Sequence, residues 1–189
     1  ETLFKDSADK LMGYAETAYK NQGVSANTYM SLATSFSASL LQSLEGDTKA
    51  AVEATNLAIT DMSDNANKMG TDLSMIQNAY QGFAKGQYQL LDNLKIGYGG
   101  TKTEMQRLLA DASKLSGVEY NIDNLGDVYD AIHVIQQDLG LTGVAAAEAS
   151  TTFTGSFEAM KAAGENLMAS LALGQDLGPA LDALGQTVS

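Results

Sequence analysis

Apolar residues recur three or four positions apart along most of the chain, and glycines close most of these runs. This period is typical of an amphipathic α-helix, and a glycine after the last periodic residue is typical of a helix end. No segment alternates apolar and polar residues with a period of two, so the pattern predicts an all-α chain. The first four stripes are Leu3, Phe4, Ala8, Leu11, Ala15, Ala18 and Tyr19, closed by Gly23; Tyr29, Leu32, Phe36, Leu40, Leu41 and Leu44, closed by Gly46; Ala51, Ala54, Ala58, Met62, Ala66 and Met69, closed by Gly70; and Leu73, Ile76, Tyr80 and Phe83.

Polar residues with short side chains precede three of these stripes and indicate where the helices begin. Ser25, Asp47 and the pair Thr71-Asp72 can each accept hydrogen bonds from the free amides of a first helical turn. Gly82 and Gly86 weaken the end of the fourth helix, since glycine costs about 1 kcal/mol relative to alanine in a helix interior. We therefore expect a break there and then a short helix carrying Leu90, Leu91 and Leu94.

The second half of the chain continues in the same way. Thr101 and Glu104 fit a capping box, and Asp123 or Asn124 is expected to cap the helix that follows Ser116–Asn124. Gly140 and Gly143 mark a turn, and Pro179 suits the first turn of a short terminal helix. The predicted architecture is a multi-helix bundle of about eight helices joined by short glycine-marked turns. The later apolar stripes are Met105, Leu108, Leu109, Ala112 and Leu115; Leu125, Val128, Ile132, Ile135 and Leu139; and Phe153, Phe157, Met160, Gly164, Leu167 and Leu171.

Charge divides the chain unevenly around the polar connection Ser116–Asn124. The net charge is −12 overall. Up to Lys114 there are 13 acidic and 10 basic residues, whereas from Leu115 onward 10 acidic residues face Lys161 alone. We predict a helical N-terminal part, residues 1–115, and an acidic helical C-terminal part, residues 116–189, packed together as one helical domain. The acidic half is interpreted as a solvated face that keeps the protein soluble, with an acidic docking surface as the alternative.

The composition also excludes several classes of protein. Without cysteine the chain has no disulfide framework, thiol nucleophile or thiolate metal site. Its acidic balance disfavours direct binding of nucleic acid, because phosphate backbones are repelled. The uncharged segment Thr28–Leu44 is rich in serine and threonine and shorter than the roughly 20 apolar residues of a membrane span. No membrane span is expected, and the lack of an initiator methionine or leader suggests an internal piece of a longer polypeptide.

The segment Gly97-Tyr98-Gly99-Gly100 precedes a helix and could suggest a phosphate-binding loop. Thr101 separates Gly100 from Lys102, however, so the Gly-Lys-Ser/Thr order of a P-loop is missing, and Lys102 stands where a dinucleotide fingerprint needs its third glycine. We interpret the segment as a turn between two helices and expect Gly99→Ala to destabilise the fold if that position needs a positive φ.

No other group of residues forms a catalytic, cofactor-binding or metal-binding pattern. Asn121–Gly126 resembles the start of a calcium loop, but Leu125 and Ile132 stand where oxygen ligands are needed. His133, the only histidine, is interpreted as a packed or surface residue because it has no identified acid–base partner. Tyr80, Phe83 and Tyr88 are interpreted as core residues rather than a base-stacking surface. We therefore predict no cofactor and no enzymatic activity.

Several blocks of the sequence resemble the tail tape measure proteins of long-tailed bacteriophages and prophages. The resemblance extends over about Tyr14 to Leu173. The blocks that carry it are Ser35–Leu44, Met69–Asp72, Ile76–Lys85, Leu91–Met105, Tyr129–Gln136 and Ser156–Ala163.

This resemblance implies a virion structural protein located inside the phage tail and made in the bacterial cytoplasm. A tape measure protein is the scaffold around which the tail tube assembles, and its length sets the tail length. The expected partners are the tail tube protein, tail assembly chaperones and tail-tip proteins. A generic helical protein-interaction module and a peptidoglycan hydrolase domain acting at infection remain as alternatives.

Glycine content bears on the shape of such a segment. A ruler made of continuous helix gains about 1.5 Å per residue, but 18 glycines are poor material for one long rod. We expect the segment to fold alone as a compact helical bundle and to be more extended inside the tail.

Overall fold

The computed structural model describes Phe4, residues 7–152, and the single positions Glu165, Met168, Gly178 and Leu181. Residues Glu1–Ala146 form one compact unit and Ala147–Ser189 form a second. The regular structure in the described part of the chain is helical and includes no strand, which confirms the all-α prediction; residues 144–152 are helical in addition to the elements named next. The helices are α1 (Ala8–Asn21), α2 (Ala26–Ser43), α3 (Thr48–Met69), α4 (Leu73–Phe83), the 3₁₀ helix (Leu91–Leu94), α5 (Lys102–Ser116) and α6 (Leu125–Asp138).

The predicted helix starts are confirmed by hydrogen bonds from backbone amides to capping side chains. Ser25 accepts from the amide of Thr28, and Asp72 accepts from that of Ser74. The same kind of contact begins α3, α5 and α6, where the capping residues are Asp47, Thr101 and Asn124. These caps are local, because each acceptor lies within three residues of its donor, and sequence therefore predicts them well.

Glycines end or interrupt helices where the sequence predicts it. Gly70 follows α3 as predicted, and Gly117, which was not predicted to end a helix, follows α5; both are in left-handed backbone conformation. The predicted break after α4 lies between Phe83 and Leu91, and the short helix beyond it is a single 3₁₀ turn that buries Leu91 and Leu94. Helix ends are therefore placed mainly by local sequence.

Helix α3 is the centre of the first unit. It packs against α1, α2, α4, α6 and the 3₁₀ helix. Ala51, Ala58 and Met62 of its predicted stripe are fully buried. Burial extends well beyond that stripe, however, because neighbours lie on several sides; the additional buried residues of α3 are Val52, Thr55, Ile59, Asp61, Ser63, Asp64 and Asn65.

Three residues predicted to be buried are exposed. Tyr19, Leu115 and Leu139 are 48%, 52% and 47% exposed. Each lies at or next to the last turn of its helix, although other residues of the same end are buried, as Gln22 is after Tyr19 and Gln136 is before Leu139. The periodicity predicts which side of a helix is buried on average, but not the exposure of each residue at the edge of the stripe.

The connection Ser116–Asn124 lies inside the first compact unit, because α6 packs against both α5 and α3. The change of charge near residue 116 therefore does not coincide with the division between the two compact units. The predicted positions that lie outside the described residues are Leu3, Phe153, Phe157, Met160, Gly164, Leu167, Leu171 and Pro179.

Candidate functional site

The glycine segment before α5 is held by side chains of α5 itself. The Glu104 carboxylate accepts a hydrogen bond from the amide of Gly99 at 3.1 Å, while the amide of Glu104 donates to the Thr101 hydroxyl, also at 3.1 Å. The capping box thus forms, except that the carboxylate reaches Gly99 instead of Thr101. Since Glu104 places a negative charge in the first turn of α5, it occupies the position where a helix would attract a phosphate.

Arg107 of α5 also contacts the glycine segment. Its Nη2 donates to the carbonyl oxygen of Gly97 at 2.9 Å and to Glu104 at 2.7 Å, and its guanidinium lies 4.2 Å from the centre of the Tyr98 ring. The Arg107 hydrogen bond is the main reason that the pKa of Glu104 lies below its usual range. This geometry agrees with the interpretation as a turn and leaves the Gly99 amide bonded within the chain.

A second group of polar residues lies in the middle of α3. Asp64 and Asn65 lie three and four residues after Asp61, so both are close to Asp61 on the surface of the helix. All three are buried, and each bonds to a different segment of the first unit. We call these three residues the α3 polar cluster.

Asp61 connects α3 to α6. Its Oδ1 lies 2.8 Å from Nδ1 of His133, and the two side chains are 1% and 23% exposed. Its second carboxylate oxygen, Oδ2, is buried without a hydrogen-bond partner in the described part of the chain. His133 is therefore half-buried against an acid that the sequence did not identify as its partner.

Asp64 connects α3 to the segment after α6. Its two carboxylate oxygens accept hydrogen bonds from the amides of Gly143 and Ala145, each at 2.8 Å. Residues 144–152 are helical, so Asp64 caps a helix that begins about 80 residues later in the chain. A buried carboxylate at this position also has a favourable interaction with the helix dipole.

Asn65 connects α3 to the end of the 3₁₀ helix. Its side-chain nitrogen donates a 2.9 Å hydrogen bond to the carbonyl oxygen of Leu94. Lys95 follows in left-handed conformation, so the chain turns immediately after this contact. Asn65 thereby anchors the last residue of the 3₁₀ helix to the central helix.

Two tyrosines extend this polar network between α4 and α6. The Tyr129 hydroxyl donates to the carbonyl oxygen of Tyr80 at 2.9 Å, and the Gln136 amide donates to the Tyr80 hydroxyl at 3.3 Å. The two rings lie 5.0 Å apart between centroids. Burial raises the pKa of both phenols above their usual value, so both stay protonated; the Tyr129 hydroxyl donates, and the Tyr80 hydroxyl accepts from Gln136.

The chemistry available to the Asp61–His133 pair is limited. An aspartate that orients a histidine is part of many hydrolytic sites, but such sites also need a nucleophile on the other ring nitrogen. Among the described residues, no serine or threonine hydroxyl bonds to that nitrogen. The same part of the chain contains no group of three or more residues that could hold a metal ion. We interpret the pair as a connection between two helices.

Several open clefts lie on the surface of the first unit, including one of about 800 Å³ beside α5 and one of about 640 Å³ beside α3. A cleft of about 340 Å³ lies between α2, the end of α4 and the connection before α6, and it is lined by Ser39, Phe83, Tyr88 and Ile122 together with the carboxylate of Asp123. No helix in the described residues is long and apolar enough to cross a membrane.

We compared the chain with protein-family models, with curated proteins and with solved structures, and none of the three comparisons found a match. The resemblance to tape measure proteins therefore depends on the sequence blocks given above.

The α3 polar cluster is what the sequence interpretation missed. Polar residues at helical spacing usually indicate a solvated face, and Asp61, Asp64 and Asn65 fit that pattern. One signal could have found Asn65: at 3.6 residues per turn it falls between Ala54 and Ala58 of the apolar stripe of α3, where a buried side chain is expected. The burial of the two aspartates depends on long-range packing that no local pattern reports.

Proposed function

We propose that this chain is a structural segment of a phage tail tape measure protein, which sets tail length and supports assembly of the tail tube. The observation that carries the proposal is the sequence resemblance, several blocks of which contribute residues to the core of the first unit. Tyr80 of one block contacts Tyr129 of another, and Leu94 of a third is bonded by Asn65. No catalysis is part of this proposal.

The proposed role requires the bundle to lengthen. Among the helices with both ends described, α3 is the longest, with 22 residues that span about 33 Å, whereas the 189 residues of the chain as one continuous helix would span about 280 Å. A folded bundle therefore spans much less length per residue than a continuous helix does. The segment would serve as a longer ruler inside a tail only after its helices separate.

The α3 polar cluster is suited to such separation. A buried hydrogen bond contributes only about 1 kcal/mol net, because water replaces the partner when the contact opens. Opening a purely apolar interface exposes surface at about 25 cal/mol per Å² without such compensation. Helix contacts that include Asp61, Asp64 and Asn65 are thus weaker than fully apolar contacts of the same size.

The test is an in-frame deletion of this segment in the phage or prophage that encodes it, followed by tail measurement in the electron microscope. Tails shortened by up to about 280 Å support the proposal, since a ruler of continuous helix loses about 1.5 Å per deleted residue. Tails of unchanged length would contradict it.

A same-length variant is the matched control. Met62→Asp places a charge at a fully buried position of α3 and should unfold the bundle without removing a residue. A ruler that depends on chain length gives normal tails in this variant, whereas a role that needs the folded bundle gives aberrant tails in both. A zymogram of the isolated chain tests the alternative that this segment is a peptidoglycan hydrolase. Clearing of peptidoglycan would support that alternative.

A further inference from the structure

The contact between α3 and α6 contains a buried acid with one partner. Asp61 is 1% exposed, and His133 on α6 provides the hydrogen bond to its Oδ1. Its Oδ2 is buried and has no partner among the described residues. An ionised carboxylate in this position depends almost entirely on the imidazolium form of His133 for compensation.

The other charged groups that face this pair have the same sign as Asp61. Asp64 lies on α3 and Asp130 on α6, and the charges of both act on Asp61 and on His133. From α4 the neutral Tyr80 hydroxyl faces the pair, and the charge of Asp61 acts on it. Three carboxylates therefore surround one imidazole.

We propose that the Asp61–His133 pair is a proton-controlled latch between α3 and α6. With its proton bound, the pair holds α6 against α3. When the proton is lost, a buried carboxylate remains without a positive partner beside Asp64 and Asp130, and α6 separates from α3 more easily. This inference depends on the folded first unit and not on the proposed tail function.

The direction of the pH dependence follows from the two groups. Burial raises the pKa of Asp61 to about 6, although the hydrogen bond from His133 partly opposes the increase. The hydrogen bond to Asp61 raises the pKa of His133 above its usual value of 6.5. Both groups bind protons more tightly in the folded chain, so stability is greatest below the unfolded pKa values and is lost as pH increases through the folded ones.

The first test is urea unfolding of the chain at pH 5.5 and pH 8. This range begins above the ordinary pKa of Glu53 and Glu104, so their lowered pKa values contribute little. We expect the unfolding equilibrium constant to increase about tenfold between these pH values. Asp61→Asn keeps the shape but removes the titrating charge and should abolish most of the increase.

The matched control is Asp138→Asn, which changes an exposed acid on α6, the helix that carries His133. This variant should keep the full increase in the unfolding equilibrium constant. A wild-type chain with no increase, or an Asp61→Asn variant that keeps it, overturns the proposal.

A second measurement uses the folded wild-type chain alone and covers the case in which Asp61→Asn does not fold. His133 is the only histidine, so its ring resonances in NMR report this site without ambiguity. We expect it to titrate above 6.5 and the amides of α6 to exchange faster than those of α5 at pH 8, after correction for intrinsic rates. Titration at or below 6.5, or equal exchange in the two helices, overturns the latch.

Discussion

Gly100 lies directly against the backbone of Gln89. A Cβ atom at Gly100 would be 2.2 Å from the carbonyl oxygen of Gln89, far closer than any van der Waals contact. Gly99 has no such neighbour, since its nearest contact would be the flexible side chain of Glu104 at 3.5 Å, and its φ is outside the left-handed region. Gly99 therefore does not meet the condition of a positive φ under which its replacement was expected to destabilise the fold: Gly97 has φ +89°, and Gly100 is restricted by contact.

Gly100→Ala should destabilise the first unit by about 1–3 kcal/mol, because the added methyl group must displace backbone and not a side chain. Urea denaturation monitored by circular dichroism measures this change. Gly99→Ala is the matched control in the same segment and should change the unfolding free energy by less than about 0.5 kcal/mol. Equal losses in the two variants would show that the contact with Gln89 is not what restricts Gly100.

Asp64→Ala should remove the cap from the helix that begins at residue 144. The amides of Gly143 and Ala145 lose their acceptor, and only the Ala145 hydrogen bond is fully buried; leaving that amide unsatisfied costs about 1–3 kcal/mol. Amide hydrogen exchange at Ala145 should accelerate more than exchange in α5. The exposed residue Asp138, changed to alanine, provides the control, and unaltered protection of Ala145 in Asp64→Ala would contradict the assigned role.

Tyr129→Phe should cost about 1 kcal/mol, because it removes the buried hydrogen bond to the carbonyl oxygen of Tyr80 while keeping the ring contact. The comparison is Tyr14→Phe, whose hydroxyl bonds to Glu53 at an exposed position where water can replace it. Thermal unfolding of the two variants distinguishes the contacts. A larger loss in Tyr14→Phe would mean that the buried link between α4 and α6 contributes little.

Local chemistry explains which parts of the fold could be predicted from sequence. A capping side chain and its amide lie within a few residues of each other, so Ser25, Asp47 and Asn124 could be identified directly. The same holds for glycine helix ends such as Gly70. The exposed position of Leu139 could not be predicted, because it depends on how distant parts of the chain pack around the end of α6.

The α3 polar cluster shows the limit for the candidate site. Asp61 and His133 are 72 residues apart in sequence, and Asp64 and Ala145 are 81 apart. Neither partner carries a local sign of the other, and an aspartate on a helix ordinarily faces water. His133 could be recognised as chemically interesting, but its acid appears only when α6 is packed against α3.

Tail length in a phage carrying a tandem duplication of this segment tests the central claim most directly. Damage to a scaffold can shorten or abolish tails, but it cannot produce longer ones of uniform length. The proposed ruler role predicts tails longer by up to about 280 Å, at about 1.5 Å for each of the 189 added residues. Tails of wild-type length in viable particles with the duplicated protein would contradict that role.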